Sequence, residues 1–260
     1  MLAEALSELG CRIVQANTDG LFVLLKKNKY SQVQQVCKDW EKLTKLELEE
    51  DRFEAMYQYA INDYIAVKEG YKQKKSEFYN GKAVNRKGEK YETINDIHKD
   101  FVKTKGMFIT EVLLGKGLSP KIIPEAIINY FIDNTPVEDT IKNCIDIRKF
   151  LQSEKTGKQW TVEYNEQVQQ RINRFYVSNS GYYLWKWKED SGVKEYQNML
   201  KGYGVRLHNV LYSDEDLNWK YSQGETFESI YDVNYSYYIT QCRKIIEELK
   251  PRQLNLFNFD

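Results

Sequence analysis

Asn17-Thr18-Asp19-Gly20 lies between two apolar runs, Cys11 to Ala16 and Leu21 to Leu25. If both runs are strands, Asp19 stands at the tip of a hairpin, held by a rigid support. Divalent-metal chemistry on phosphates asks for such a group: hard oxygen ligands held stiffly, with room for phosphate and water. Mg²⁺ is the expected ion. A two-metal site needs at least two carboxylates, because ions about 4 Å apart repel strongly without them. The plainer reading of the same residues is a tight turn, since Asp and Gly both tolerate positive φ. Other chemistries have less to work with. There are two histidines in the chain. Cys11, Cys37, Cys144 and Cys242 are widely separated with no CxxC, and read as reduced core thiols.

The elements that must position this turn come from the flanking pattern. Leu2, Ala5, Leu6 and Leu9 recur at helical spacing, and Gly10 ends that helix. The five apolar residues Leu21 to Leu25 suggest a strand covered on both faces. Ser31 with Gln34 forms a candidate capping box, followed by Val33, Val36, Cys37, Trp40 and Leu43 on one helical face. A strand near Arg52 to Ala60, a turn at Asn62-Asp63 and a strand at Tyr64 to Val67 complete an α-β-β-α-β-β order. The expected fold class is α+β: a small antiparallel sheet with helices on one face, then a mostly helical subdomain.

Residues 69–92 read as a polar, basic connector or an exposed hairpin loop. Helices are expected from Ser119-Pro120 through Phe131, from Thr135-Pro136-Val137-Glu138 onward to Ile147, and from Tyr231 to Leu249. A late hairpin is expected between Phe175-Tyr176-Val177 and Tyr182 to Trp187. The resulting division is 1–68, 69–92, 93–250 and a tail, 251–260.

The 260 residues hold 38 Lys+Arg against 38 Asp+Glu, a formal charge of zero. Neutrality conceals opposites. Lys68 to Lys105 holds eleven Lys or Arg against six acids, and Leu207 to Asp232 holds six acids against one base. A globally basic nucleic-acid binder is excluded, whereas one with a basic face is not. Lys68, Lys72, Lys74 and Lys75, with Tyr71, Phe78, Tyr79 and Tyr91 interleaved, are candidates for contact with a phosphate backbone. A solvated surface face is the alternative. Mean hydropathy is −0.67, and no apolar stretch approaches the ~20 residues of a membrane span. The acidic, amphipathic start is not a secretory leader. A cytoplasmic protein without a membrane partner is expected.

The segment from Leu6 to Val23, with its helix, strand, Asn17-Thr18-Asp19-Gly20 turn and apolar strand, resembles motif C of family B DNA polymerases of the bacteriophage type. In that motif a D-T-D-S turn supplies a catalytic metal ligand at its second aspartate, which corresponds to Asp19. Here Asn17 replaces the first aspartate, Gly20 the serine, and Gln15-Ala16 the usual Tyr-Gly. Leu46 to Val67 is similar to the stretch ending in K-x-Y that approaches the primer. Asn62 stands at the Lys position, so only Tyr64 carries over; an ordinary strand tyrosine is the alternative. Leu118 to Ile147 and Arg174 to Lys186 look like parts of the thumb.

The resemblance implies the second half of a palm in 1–68, a thumb in 93–250, and Asn17, Thr18 and Asp19 at the catalytic turn. It also implies primer-template DNA and dNTP as partners, together with an upstream polymerase polypeptide. That polypeptide would supply the motif A aspartate and the fingers, without which the chain is inactive. The alternative class is a non-catalytic DNA- or clamp-binding module, and a reverse transcriptase fits less well because the Asn17-Thr18-Asp19-Gly20 turn has no adjacent acidic pair. Gln253-Leu254-Asn255-Leu256-Phe257 resembles the peptide with which bacterial polymerases grip a sliding clamp. Gln253 would hydrogen-bond, and Leu254, Leu256 and Phe257 would fill an apolar cleft. Folding of this tail back onto the palm or thumb is the other reading.

Overall fold

The computed structural model describes residues 1–17, 20–111, 118–190, 193–198, 205–250 and 253–255. Two compact units form, residues 1–107 with 248–260 and residues 108–247. The class is α+β, as expected, with small antiparallel sheets and helices in both units.

In the first unit, α1 (Leu2–Glu8) is followed by Gly10 at φ +76°, a left-handed conformation that suits glycine. The hairpin β1 (Arg12–Asn17) and β2 (Gly20–Leu24) comes next. It forms its own two-stranded sheet. The expectation that its second strand is central and covered on both faces is therefore corrected: Leu21, Phe22 and Val23 are half-buried and only Leu24 is buried.

Helix α2 (Tyr30–Thr44) starts one residue before Ser31, with Lys29 as its cap residue, so the Ser31–Gln34 box does not form. Gln34 instead donates to the Tyr30 hydroxyl. Strands β3 (Phe53–Ala60) and β4 (Asp63–Lys68) pair around Ile61-Asn62, one residue earlier than expected. The stretch read as a connector or exposed hairpin loop contains a helix, α3 (Tyr71–Tyr79), and then a short hairpin-like turn closed by an antiparallel bridge between Val84 and Lys90. Thr93 then caps α4 (Ile94–Phe101) in a reciprocal box with Asp96, and β5 (Val102–Lys105) pairs with β4.

The second unit opens with α5 (Ile122–Asp133), which buries Ile122, Ala126 and Ile127 completely. Helix α6 (Val137–Lys142) stops short of Ile147, which lies in a separate 3-10 turn, Ile147–Phe150. Where a mostly helical region with one hairpin was expected, seven strands follow among the described residues: β6 (Gln152–Lys155), β7 (Thr161–Tyr164), β8 (Gln167–Gln169), β9 (Ile172–Ser178), β10 (Leu184–Asp190), β11 (Val193–Asn198) and β12 (Arg206–His208).

The expected hairpin is not one. β9 pairs with β6 and β12, whereas β10 pairs with β7 and β11. The chain changes sheets at Gly181, where φ is +116° and an added Cβ would lie 2.2 Å from the Leu207 carbonyl oxygen. Helices α7 (Asp214–Ser222), α8 (Phe227–Tyr231) and α9 (Tyr235–Leu249) end the unit. The single terminal helix expected from Tyr231 is broken at Asp232, φ +46°. The Asp232 carboxylate accepts from the Asn179 side chain and the Ser180 backbone N–H, both at 2.9 Å. Tyr238 of α9 is fully buried; its hydroxyl donates to the Phe150 carbonyl and accepts from the Val177 N–H.

The last described strand, β13 (Gln253–Asn255), belongs to the first unit. It pairs antiparallel with β3 and completes the order β13-β3-β4-β5.

Candidate functional site

The register of the first hairpin fixes its tip. Arg12 pairs with Leu24, Ala16 with Leu21, and Asn17 with Gly20. Residues 18 and 19 are therefore the two that link the strands, while Thr18 and Asp19 themselves lie outside the described residues. Asn17 closes the turn: its side-chain oxygen accepts from the Gly20 N–H at 2.9 Å. An asparagine in this position does the work of a turn former, which gives a physical reason for its place beside Asp19.

The hairpin is anchored to β3 and β4 by side chains. Val14 and Phe22 pack with Phe53 against buried Met56, Tyr64 and Ala66. The Phe22 ring meets Tyr64 edge-on at 5.3 Å and Phe53 at 5.7 Å. Gln15, nearly buried, donates to the Ile61 carbonyl and accepts from Gln58. A polar residue thus ties β1 to the β3–β4 turn where an apolar one would leave a backbone acceptor unpaired.

Tyr64 is the clearest correction among the candidate residues. Expected to face a primer strand, it is 4% exposed and belongs to the core under Phe22. Alternation along β4 put its ring on the side that the hairpin covers, which its spacing from Asn62 could not reveal.

The candidate basic residues fall on consecutive elements. Lys68 ends β4 and is half-buried. Lys72, Lys74 and Lys75 lie on α3; Lys72 is exposed, and Lys74 is held by Glu77 at 2.7 Å. Lys72 and Lys75 are one helical turn apart and so share a face. Four of the six acids of the same stretch, Glu89, Glu92, Asp96 and Asp100, line an open polar cleft of about 450 Å³ together with Lys90 and Lys99. There Tyr91 donates to Asp100 at 2.6 Å, and burial first, then that bond, pushes the phenol up to about 12.

One group the sequence reading passed over is Glu54. It is 7% exposed on β3, and its carboxylate accepts from the Gly70 and Lys72 N–H groups at the start of α3. Burial raises its pKa, against the pull of Lys72 and these N–H groups. It serves as a capping acceptor supplied from another element. A lone Glu in a strand of alternating burial carries no sequence signal of this.

The tail candidates divide. Gln253 and Leu254 sit in β13, opposite Tyr57 and Met56, which is the fold-back alternative for this part of the tail. Leu256 and Phe257 lie outside the described residues. Among the described residues no group of three or more His, Cys, Asp or Glu is placed to hold a metal ion, and no helix is long and apolar enough to cross a membrane. No family model, curated protein or solved structure matches the chain.

Proposed function

We propose that this chain is the C-terminal palm and thumb part, or a split subunit, of a family B-like DNA-directed DNA polymerase acting in the cytoplasm. The observation that carries the reading is the hairpin register: Asn17 opposite Gly20 leaves Thr18 and Asp19 as the connecting pair at the end of a supported β-ribbon. Asp19 would be this chain's ligand to Mg²⁺, and the second carboxylate would come from motif A of the upstream polypeptide. Bound there, the metal pair would supply Lewis-acid stabilisation for transfer of a nucleotidyl group from dNTP to a primer 3′-hydroxyl.

The chain's own residues have separate tasks. Asn17 holds the turn through Gly20. Gln15 and Phe22 fix the ribbon on β3 and β4. Lys68, Lys72 and Lys75 offer charge to the backbone of primer-template DNA without reading sequence. Exposed apolar side chains support the need for a partner polypeptide: Leu43, in the last turn of α2, and Leu46, just beyond it, are 70% and 60% exposed. Clamp binding through Gln253, Leu254, Leu256 and Phe257 would require β13 to leave β3.

The test is reconstitution. Mixing this chain with a polypeptide carrying motif A and fingers should give primer extension that the isolated chain lacks. Asp19→Ala should lower the extension by more than about a hundredfold at an unchanged melting midpoint. Extension that survives this substitution would remove Asp19 from the reaction.

A further inference from the structure

We propose that His208 is a proton-operated latch: protonation of its ring on mild acidification loosens β12, the strand that joins the two sheets of the second unit. β12 is three residues long and is held along both edges. Arg206, Leu207 and His208 lie opposite Ser178, Val177 and Tyr176 of β9. Along the other edge, the Leu207 N–H donates to the Tyr182 carbonyl at 2.9 Å. The Leu207 carbonyl accepts from the Tyr182 N–H at 3.1 Å and from the Tyr164 hydroxyl at 2.9 Å. Tyr164 belongs to β7, in the other sheet, and Tyr182 leads into β10 of that sheet. The Leu207 peptide is thus the seam between β9 on one side and the β10–β7 pair on the other.

The end of this short strand carries a group that suits its place only when neutral. The His208 ring stacks on buried Tyr176, with centres 5.9 Å apart and planes 13° from parallel. Its Nδ1 is buried and has no hydrogen-bond partner among the described residues. A neutral imidazole can keep its proton on Nε2 and leave Nδ1 as a bare acceptor. Protonation turns Nδ1 into a charged donor with nothing to donate to, which costs more to bury. The surrounding elements offer little to offset that cost. Tyr176 and Tyr231, which meet edge-on at 5.9 Å, bring neutral phenols. Arg206, on β12 itself, is another positive charge, set beside the Tyr183 ring. Asp232, between α8 and α9, favours the charged ring, but its carboxylate is already engaged by Asn179 and Ser180. Burial outweighs Asp232 and holds His208 below the ordinary histidine value of 6.5.

A detached β12 takes up its proton near that ordinary value, and the paired strand only at lower pH. The pairing is therefore at full strength above 6.5 and weakens as pH falls towards the value of the paired strand. The ratio of open to closed strand rises by up to about tenfold per pH unit, the slope of one proton. The latch uses no residue assigned to the metal, the nucleotide or the DNA backbone, so it and the polymerase reading can fail separately.

The experiment is NMR on the full 260-residue chain, following both histidine rings and amide hydrogen exchange between about pH 7.5 and about pH 5. His208 should titrate below 6.5. Protection of the Leu207 and Tyr182 amides, corrected for intrinsic exchange, should fall with pH while the amides of β4 keep theirs. His208→Phe keeps a ring to stack on Tyr176 and takes up no proton, so its profile should be flat. His208→Gln should be flat too, and guards against a repacking defect in the first variant. Asp232→Asn tolerates the left-handed backbone at that position and should move the loss of protection to lower pH, because the charge that favours the protonated ring is gone. A His208 that titrates at or above the ordinary value would overturn the proposal. So would protection at Leu207 that ignores pH, a loss shared equally by β4, or a loss that persists in both His208 variants.

Discussion

β2 and β4 have similar composition and opposite fates. Leu21-Phe22-Val23-Leu24 is as apolar as Tyr64-Ile65-Ala66-Val67, yet all four residues of the β4 run are buried and only the last of the β2 run is. The difference is neighbours. β4 has hydrogen-bonded strands on both edges, β3 and β5, whereas β2 has β1 on one edge alone. A two-stranded ribbon is marginal by itself and takes its stability from what it packs on. An apolar run thus reports a demand for cover, and the chain satisfies that demand fully in one place and half in the other. The half-covered ribbon is also the one that presents the candidate metal ligand.

The comparison can be broken by mutation. Ile65→Ala removes a fully buried side chain and is expected to destabilise the chain by about 2–5 kcal/mol in urea unfolding. A loss well under about 1 kcal/mol would show that β4 is less enclosed than its burial indicates. Phe22→Ala should cost less, about 1–2 kcal/mol, because its ring is half-buried to begin with. If the two changes cost the same, the ribbon is as firmly embedded as the sheet. Adding the partner polypeptide should sharpen the contrast: an open flank of β2 that becomes covered should make Phe22→Ala more damaging in the complex than alone.

A smaller effect concerns Glu54, in the strand next to β4. Its folded-state pKa is raised, mainly by burial. The folded form therefore disfavours the charged carboxylate, and stability should fall as pH rises through that raised value, while below the ordinary carboxylate range nothing is lost. Glu54→Gln keeps an acceptor for the Gly70 and Lys72 N–H groups. It should raise the melting midpoint at about pH 8 relative to the parent and lose that advantage near pH 4. A variant less stable than the parent at the higher pH would mean that Lys72 more than offsets the burial.

Element types were legible because periodicity is local. The helix before Gly10, the two hairpins of the first unit, and starts near Pro120 and Pro136 all follow from spacing and turn chemistry. Pairings were not legible where distant residues decide them. Ser178-Asn179-Ser180-Gly181 has the composition of a hairpin turn. Asp232, more than fifty residues away, binds Asn179 and Ser180, and the Leu207 backbone pairs with Tyr182, so the chain is turned into a second sheet.

The Ser31 cap failed for a local reason: Lys27–Lys29 forms a 3-10 turn that runs directly into α2 and leaves no extended cap residue at position 31. Within the candidate site, the hairpin and its tip were readable from Asn17 to Gly20. The burial of Tyr64 was not, because it depends on which face of β4 the ribbon covers.

The strand β13 has a consequence for solubility. A sheet edge offers unpaired backbone donors and acceptors to any passing strand, and folded proteins take pains to hide such edges. Here the β3 edge is hidden by three residues close to the chain's end. Truncation after Lys250 should therefore bare the Ala55–Tyr57 backbone in the middle of an eight-residue strand, and the shortened chain is expected to self-associate in gel filtration at lower concentration than the full chain. A truncated chain that stays monomeric would show that β3 needs no guard. Because the guard is joined through a short link to the last helix, the same three residues could equally close the β3 edge of a second copy, making exchange of tails the most economical route from monomer to dimer.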